Sequence, residues 1–173
     1  MENQKVYEPA EDSFLLEKAV ERFAFGKVLD IGTGSGIQGI AAARKGCEVT
    51  FSDISGEALE AARKNAEMGD IKGSFIKSDL FSRITGRFNT IIFNPPYLPS
   101  KGIAVRHLDG GRNGREVIDR FLDEYENHVL ERHTVLLLES SLNNYEDDVK
   151  RLKAEVVGKA HIFFEDLVVL KFE

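Results

Sequence analysis

The chain has 173 residues, 42% of them hydrophobic and 30% charged, with 15 glycines, 4 prolines, one cysteine and a formal net charge of −6. A chain of that length and apolar content buries its own core, which excludes a disordered tail, a fibrous repeat and a disulfide-stapled miniprotein. Its acidic balance argues against a protein that grips nucleic acid by charge alone.

No apolar run approaches the roughly 20 residues of a membrane span, and the start lacks the basic-then-apolar layout of a signal peptide. The lone Cys47 rules out an intrachain disulfide and fits a reducing compartment, so a cytoplasmic location is expected. Residues 8–25 are expected to open as a helix. Pro9 falls near its first turn, where a missing N–H costs little, and Leu15, Leu16, Ala19, Val20 and Phe23 recur on one face. After Gly26 short apolar runs alternate with helical stretches. The runs are Val28 to Ile31, Val49 to Asp53, Phe75 to Asp79, Thr90 to Asn94 and Val135 to Glu139.

Helices are expected near 37–45, 56–68, 113–130 and 144–155, the third on the spacing of Val117, Ile118, Phe121, Leu122, Tyr125 and Val129. Two more strands, near 156–164 and 167–172, flank a tight turn at Glu165 and Asp166. That turn is too short for a parallel crossover, so the last pair is antiparallel. Both terminal strands read as apolar on both faces, and Cys47 reads as core. Continuous apolar runs separated by helices are how buried parallel strands read. The expected fold class is α/β, a Rossmann-like seven-stranded sheet, mostly parallel, with one antiparallel strand at the C-terminal end.

Four successive strands end in an acid or its amide: Asp30, Asp53, Asp79 and Asn94. Ligands of open α/β sheets bind outside the carboxyl ends of the strands, so this rim is the expected site. The first strand runs into Gly32, Gly34 and Gly36, where backbone without a Cβ can turn sharply and approach a ligand. Gly34 to Gly39 also spells G-x-G-x-x-G, a dinucleotide pattern. Counted from Gly32, the first glycine after the strand, Ile37 falls where the third glycine belongs. Asp30 would repel a pyrophosphate and suit a nucleoside that carries a cation. On the motif alone an adenosylmethionine site and a dinucleotide site both stay open. Asp53 suits the two hydroxyls of a ribose in either case.

Three of the four prolines lie within Asn94 to Pro99. Each proline fixes its own φ and extends the residue before it, so Pro95 and Pro96 stiffen the strand's exit. An amide nitrogen is a poor nucleophile because its lone pair is delocalised. The Asn94 side-chain oxygen and a carbonyl of the Pro95–Pro96 segment can accept both N–H bonds of such a group. They would aim its lone pair at a methyl group and stabilise the charge that develops on nitrogen. Tyr97 is expected to stack on the flat target.

Together, Asp30 to Gly36, Asp53, Asp79–Leu80 and Asn94 to Tyr97 resemble class I S-adenosylmethionine-dependent methyltransferases that methylate amino groups. The segments Tyr7 to Ser13 and Gly110 to Glu116 resemble, more narrowly, the HemK-type protein-glutamine N5-methyltransferases. Within these the likeness is to the short archaeal and eukaryotic branch acting on the GGQ glutamine of class 1 translation release factors. The resemblance implies a single methyltransferase domain over 1–173, with 1–25 completing the cofactor pocket and 26–173 forming the catalytic sheet. It implies S-adenosyl-L-methionine held by Ser13, Asp30, Gly32, Gly34, Gly36, Asp53, Ile54, Asp79, Leu80 and Asn94. The target amide would be held by Asn94, Pro95, Pro96 and Tyr97. Ser13 stands where close relatives commonly have threonine, which keeps the hydroxyl. Bacterial members carry an extra N-terminal helical domain for docking the release factor, and none is expected here.

The short branch, by resemblance, works as a heterodimer with a small zinc-binding activator protein on the sheet edge beside the third strand, here Ser74 to Lys77. No stable nucleic-acid binding, membrane partner or metal is expected. His107, His128, His133 and His161 have no metal-ligand spacing. Lys101, Arg106, Arg112, Arg115 and Arg120 give the stretch before and into the fourth helix a local basic excess, with glycines that suit a lid. Competing readings are an adenine-N6 methyltransferase of DNA or RNA, a lysine methyltransferase and a non-catalytic adenosylmethionine-binding module.

Overall fold

A computed structural model describes residues 9–97 and 114–173. Its seven strands are β1 (Lys27–Ile31), β2 (Glu48–Asp53), β3 (Ser74–Lys77), β4 (Phe88–Phe93), β5 (Val129–Ser140), β6 (Glu155–Ile162) and β7 (Glu165–Phe172). They form one sheet in the order β3-β2-β1-β4-β5-β7-β6. The pairs from β3 through β5 are parallel, and β7 is antiparallel to both neighbours. Among the described residues the α-helices are α1 (Glu11–Phe23), α2 (Ile37–Arg44), α3 (Gly56–Met68), α4 (Glu116–Glu124) and α5 (Tyr145–Leu152).

The central strands are apolar residue after residue because both faces are covered. Val28, Ile92, Leu136, Leu138 and Val169 point into a cluster with Leu16, Ala19 and Val20 of α1, Ile40 of α2 and Ala66 of α3. Their neighbours Leu29, Ile91, Val135, Leu137 and Val168 point the other way, onto Ile118, Phe121 and Leu122 of α4. This alternation across a pleat, with helices on both faces, is the doubly wound arrangement. Phe121 is buried against Phe93, ring centroids 4.8 Å apart, and against Phe81 at 5.6 Å.

Three boundaries differ from expectation. α4 stops at Glu124, continues as a 3-10 turn over Tyr125–His128, and gives way to β5 at Val129. The helical spacing carried through Val129 because Val129 packs against the same cluster from the strand. The last hairpin turns at Phe163 and Phe164, not at Glu165–Asp166, which are the first residues of β7. β6 is a half-exposed edge strand, unlike the buried β7, and so is not apolar on both faces. Cys47 is partly buried against the first cluster. Among the described residues no helix is long and apolar enough to cross a membrane.

Candidate active site

Strand order reverses between β1 and β4, so their carboxyl ends open the crevice of the switch point. α2 starts there. Gly32, Gly34 and Gly36 have φ of 61°, 53° and 86°, a region that side chains rarely occupy. At Gly36 a Cβ would stand 3.1 Å from the Ala62 Cβ, so α3 packs directly on the loop. At Gly34 a Cβ would meet nothing nearer than the Gly32 carbonyl at 3.9 Å, which leaves the crest of the loop open. Gly39 fails as a third dinucleotide glycine for a different reason. It lies inside α2, where a Cβ would strike the Phe51 ring at 2.3 Å, so it serves packing.

Asp30 is turned inward. Its Oδ2 accepts from the Thr33 hydroxyl at 2.5 Å and from the Gly39 N–H at 2.9 Å, which supplies the acceptor that an N-cap side chain usually gives. Burial pushes its carboxyl up to about 7, against the pull of those two donors, and nearby Asp53 adds to the push. Asp53 ends β2 with Oδ2 accepting from the Gly34 N–H at 3.0 Å and Oδ1 from the Ser55 N–H at 2.8 Å. Burial raises this carboxyl too, and the N–H groups of Ser55, Gly34 and Ile54 oppose it. A carboxylate offers about four lone-pair sites, so Asp53 keeps acceptor capacity. Ile54 beside it is exposed. Asp79 lies beyond the end of β3 and accepts from Arg120 of α4 at 3.0 Å, while Leu80 is buried at φ 44°.

The opposite wall comes from α1. Asp12 Oδ2 accepts from Asn94 Nδ2 at 3.0 Å, and Asp12 Oδ1 accepts from the Ser13 N–H at 2.7 Å and its hydroxyl at 3.3 Å. The Ser13 carbonyl in turn accepts from Gln38 Nε2 at 2.8 Å. A carboxylate and a carbonyl only accept, so both amides must present nitrogen to them. Their oxygens, Asn94 Oδ1 and Gln38 Oε1, are left buried without a partner. Such an atom ordinarily costs about 1–3 kcal/mol. An unfilled acceptor at the end of β4 is therefore a binding feature to be explained.

Pro95 is buried, and Tyr97 sits in the first core cluster at 9% exposure. The Tyr97 ring packs in that cluster and anchors the loop end. Its carbonyl accepts from Asn143 Nδ2 at 2.9 Å, and the same nitrogen reaches the Gly114 carbonyl at 3.3 Å. Arg115 plugs into an acidic cluster, with Nη1 3.2 Å from Glu139 Oε2, bonded to Asp148, and 2.8 Å from the Asn143 carbonyl. Burial and then Asp148 push Glu139 up to about 8, with Arg115 pulling back. Arg115 and Arg120 are thus committed to acids, which removes them from the expected basic excess. Lys101, Arg106, His107, Arg112 and the glycines Gly110 and Gly111 lie outside the described residues, as do Tyr7 and Glu8.

Sequence reasoning missed Asp12, Gln38, Asn143 and the Arg115 cluster. Asp12 lay inside the segment that carries the family resemblance, but a first-turn acid in a helix is so common that nothing marked it. Among the described residues no group of three or more His, Cys, Asp and Glu could hold a metal. His161 does pair with a carboxylate, Asp166, at 2.8 Å.

Sheet order, switch-point crevice and carboxyl rim define a Rossmann-like class I methyltransferase fold. The chain belongs to the methyltransferase small domain family, whose model matches residues 10–110. It is 38% identical to a protein of Methanocaldococcus jannaschii provisionally assigned as a protein N5-glutamine methyltransferase, over 96% of this chain and 90% of that one. It is 39% identical to the release factor glutamine methyltransferase of Deinococcus radiodurans over 62% of this chain, but spans only 44% of that relative. Among solved structures, a chain of the E. cuniculi Mtq2–Trm112 complex, responsible for methylation of the eRF1 translation termination factor, superposes with a TM-score of 0.78. It is 30% identical, covering 96% of this chain and 97% of that one.

Proposed function

We propose that this chain is an S-adenosylmethionine-dependent methyltransferase that methylates the side-chain nitrogen of a protein glutamine, the GGQ glutamine of a class 1 release factor. The observation that carries the reading is the buried, unpartnered Asn94 Oδ1, the spare acceptor of an amide whose nitrogen is held by Asp12. A primary amide has two N–H bonds to give, and Asn94 Oδ1 accepts one. A carbonyl of the Pro95–Pro96 segment accepts the other. Two fixed acceptors hold the amide so that its nitrogen lone pair faces the methyl donor, and they stabilise the positive charge that grows on nitrogen. The methylated nitrogen then loses a proton readily to water, so no general base is needed.

The cofactor fits the residues present. The open crest at Gly34, the remaining acceptor sites of Asp53 and exposed Ile54 suit a nucleoside, with ribose hydroxyls on Asp53 and the base against Ile54 and Leu80. Ser13 and Asp79 border the same pocket, and Asp30 shapes its loop by capping α2. S-adenosylmethionine supplies, when bound, an electrophilic methyl group on a sulfonium. The chain's own contribution is to place the nucleophile.

Residues 1–173 act as one domain in this reading, working in the cytoplasm. A small zinc-binding partner pairs with β3, the edge strand whose Phe75 stacks on Phe51 with ring centroids 4.7 Å apart. Support for a glutamine target over a nucleic-acid base comes from the extent of the likeness. The glutamine-methyltransferase relative matches nearly end to end, whereas ribosomal RNA small subunit methyltransferase C of Escherichia coli, 37% identical, matches over 56% of this chain and 32% of its own.

The test is transfer of isotope-labelled methyl to the release factor of the same organism, with the partner protein supplied and the modified peptide read by mass spectrometry. Label on the GGQ glutamine, lost when that glutamine is replaced by asparagine, is the expected result. Label confined to RNA or DNA would overturn the assignment.

A further inference from the structure

The β6–β7 hairpin ends in two phenylalanines that bury almost nothing. Phe163 is 89% exposed and Phe164 98%. Phe163 also holds φ at 52°, a left-handed conformation that bulky residues rarely adopt and that asparagine or glycine fills more easily. Neither core packing nor turn geometry accounts for aromatics here.

The tip stands on the rim of the candidate active site. β6 runs parallel to β5, so its end and the start of β7 point the same way as the end of β4. Phe93 is level with Leu137 on β5, which puts Asn94 level with Leu138 and so with Val169 on β7. From Val169 back to Phe164 is about five residues, or about 17 Å of strand, with a sideways offset of about 10 Å for two strand spacings. The hairpin therefore rises as a wall beyond the carboxyl end of β4, at the same end of the sheet as Asn94. Its base is tied to the site, because the Asp166 N–H donates to Ser141 Oγ at 3.0 Å and Asn143, two residues on, holds the Tyr97 carbonyl. Leu142 between them is also exposed and apolar.

We propose that Phe163 and Phe164 are a docking wedge for the folded body of the protein substrate whose glutamine enters at Asn94, an inference that rests on the function proposed above. A glutamine side chain is far shorter than the height of this wall, so a folded protein presenting one at Asn94 must press against the tip. Exposed aromatics supply contact area with little entropy to lose. Asp166 is ion-paired to Lys159 at 2.7 Å and hydrogen-bonded to His161 at 2.8 Å, and the Glu165 carboxylate accepts from the Ser140 hydroxyl, so both acids next to the tip are held in contacts of their own. Two features oppose a second copy as occupant. The free edge of β6 carries Lys159 and His161, and its pairing is interrupted between Val156 and Gly158, both of which discourage edge-to-edge association. A partner on β3 lies at the far edge of the sheet, about 29 Å away at ~4.8 Å per strand.

The test uses the double variant Phe163→Asn, Phe164→Ser, which keeps the turn and removes both rings. Methyl transfer is measured on the full-length release factor and on a short peptide bearing the same glutamine, with the partner protein present throughout. The KM for the full-length substrate is expected to rise roughly tenfold or more, with kcat, turnover of the peptide and calorimetric S-adenosylmethionine affinity unchanged. An unchanged KM for the full-length substrate overturns the wedge, as does an equal loss on the peptide. So does a wild-type dimer in sedimentation that the variant breaks. A wild-type chain that labels no release factor overturns the proposed function and takes the wedge with it, which separates the two failures.

Discussion

Asn94 Nδ2 donates to Asp12 Oδ2 at 3.0 Å, across 82 residues of sequence, and this one bond leaves the Asn94 oxygen as the unpartnered atom of the amide. An ionised carboxylate cannot donate, so the amide cannot flip without losing its partner.

Asp12→Ala is therefore expected to lower kcat by roughly ten- to a hundredfold, because the acceptor oxygen loses its fixed aim. S-adenosylmethionine affinity, read by calorimetry, should stay within about threefold, since lost aim at one amide leaves the glycine loop and Asp53 in place. Equal loss of binding and turnover would show that Asp12 serves the cofactor pocket instead.

Asn143 uses both donors and one acceptor site, with Oδ1 accepting from the Ser140 N–H at 3.0 Å and Nδ2 holding the Tyr97 and Gly114 carbonyls. Asn143→Asp keeps the first contact and turns a carboxylate on two carbonyls. Thermal unfolding should report a loss of about 1–3 kcal/mol, and kcat should fall more than cofactor affinity does. A variant with wild-type kcat would show that the Tyr97 carbonyl needs no tether.

Glu139 gives the chain a pH signature. Its folded value of about 8 lies above the ordinary 4.5, so the folded state binds more protons than the unfolded one between those limits. Stability from this group is complete below about pH 4.5 and is lost as pH rises through 8. Asp148 and Asp119 face the same guanidinium, and their charges add to the upward push on Glu139. Glu139→Gln should flatten the decline, so the difference in melting temperature between pH 5.5 and pH 8 shrinks relative to wild type. A decline as steep as wild type would assign it to Asp30, whose carboxyl is also raised, or to other groups.

The sheet was legible because strands covered on both faces cannot alternate with polar residues, and Val28 to Ile31, Thr90 to Asn94 and Val135 to Glu139 read accordingly. The entry to β5 was hidden. Its first residues include Glu131, Arg132 and His133, which sit at the exposed end of a 12-residue strand and look like a helix end and loop. The final turn was misplaced because its corner is Phe163 and Phe164, where turn chemistry calls for glycine or asparagine. Asn94 and the glycine loop stood out by their own spacing. Asp12 and Asn143 did not, because each acts through one contact to a residue distant in sequence, and no local pattern encodes that. The basicity of Arg115 misled for the same reason, since Glu139 and Asp148 come from β5 and α5.

The most direct test of the account is the Asn94→Ala variant, with methyl transfer to the release factor and S-adenosylmethionine affinity measured on the same preparation. In this variant kcat is expected to fall by roughly a hundredfold or more while calorimetric affinity for the cofactor remains appreciable. A variant that keeps full turnover would contradict it, because the buried Asn94 Oδ1 would then have no part in holding the amide.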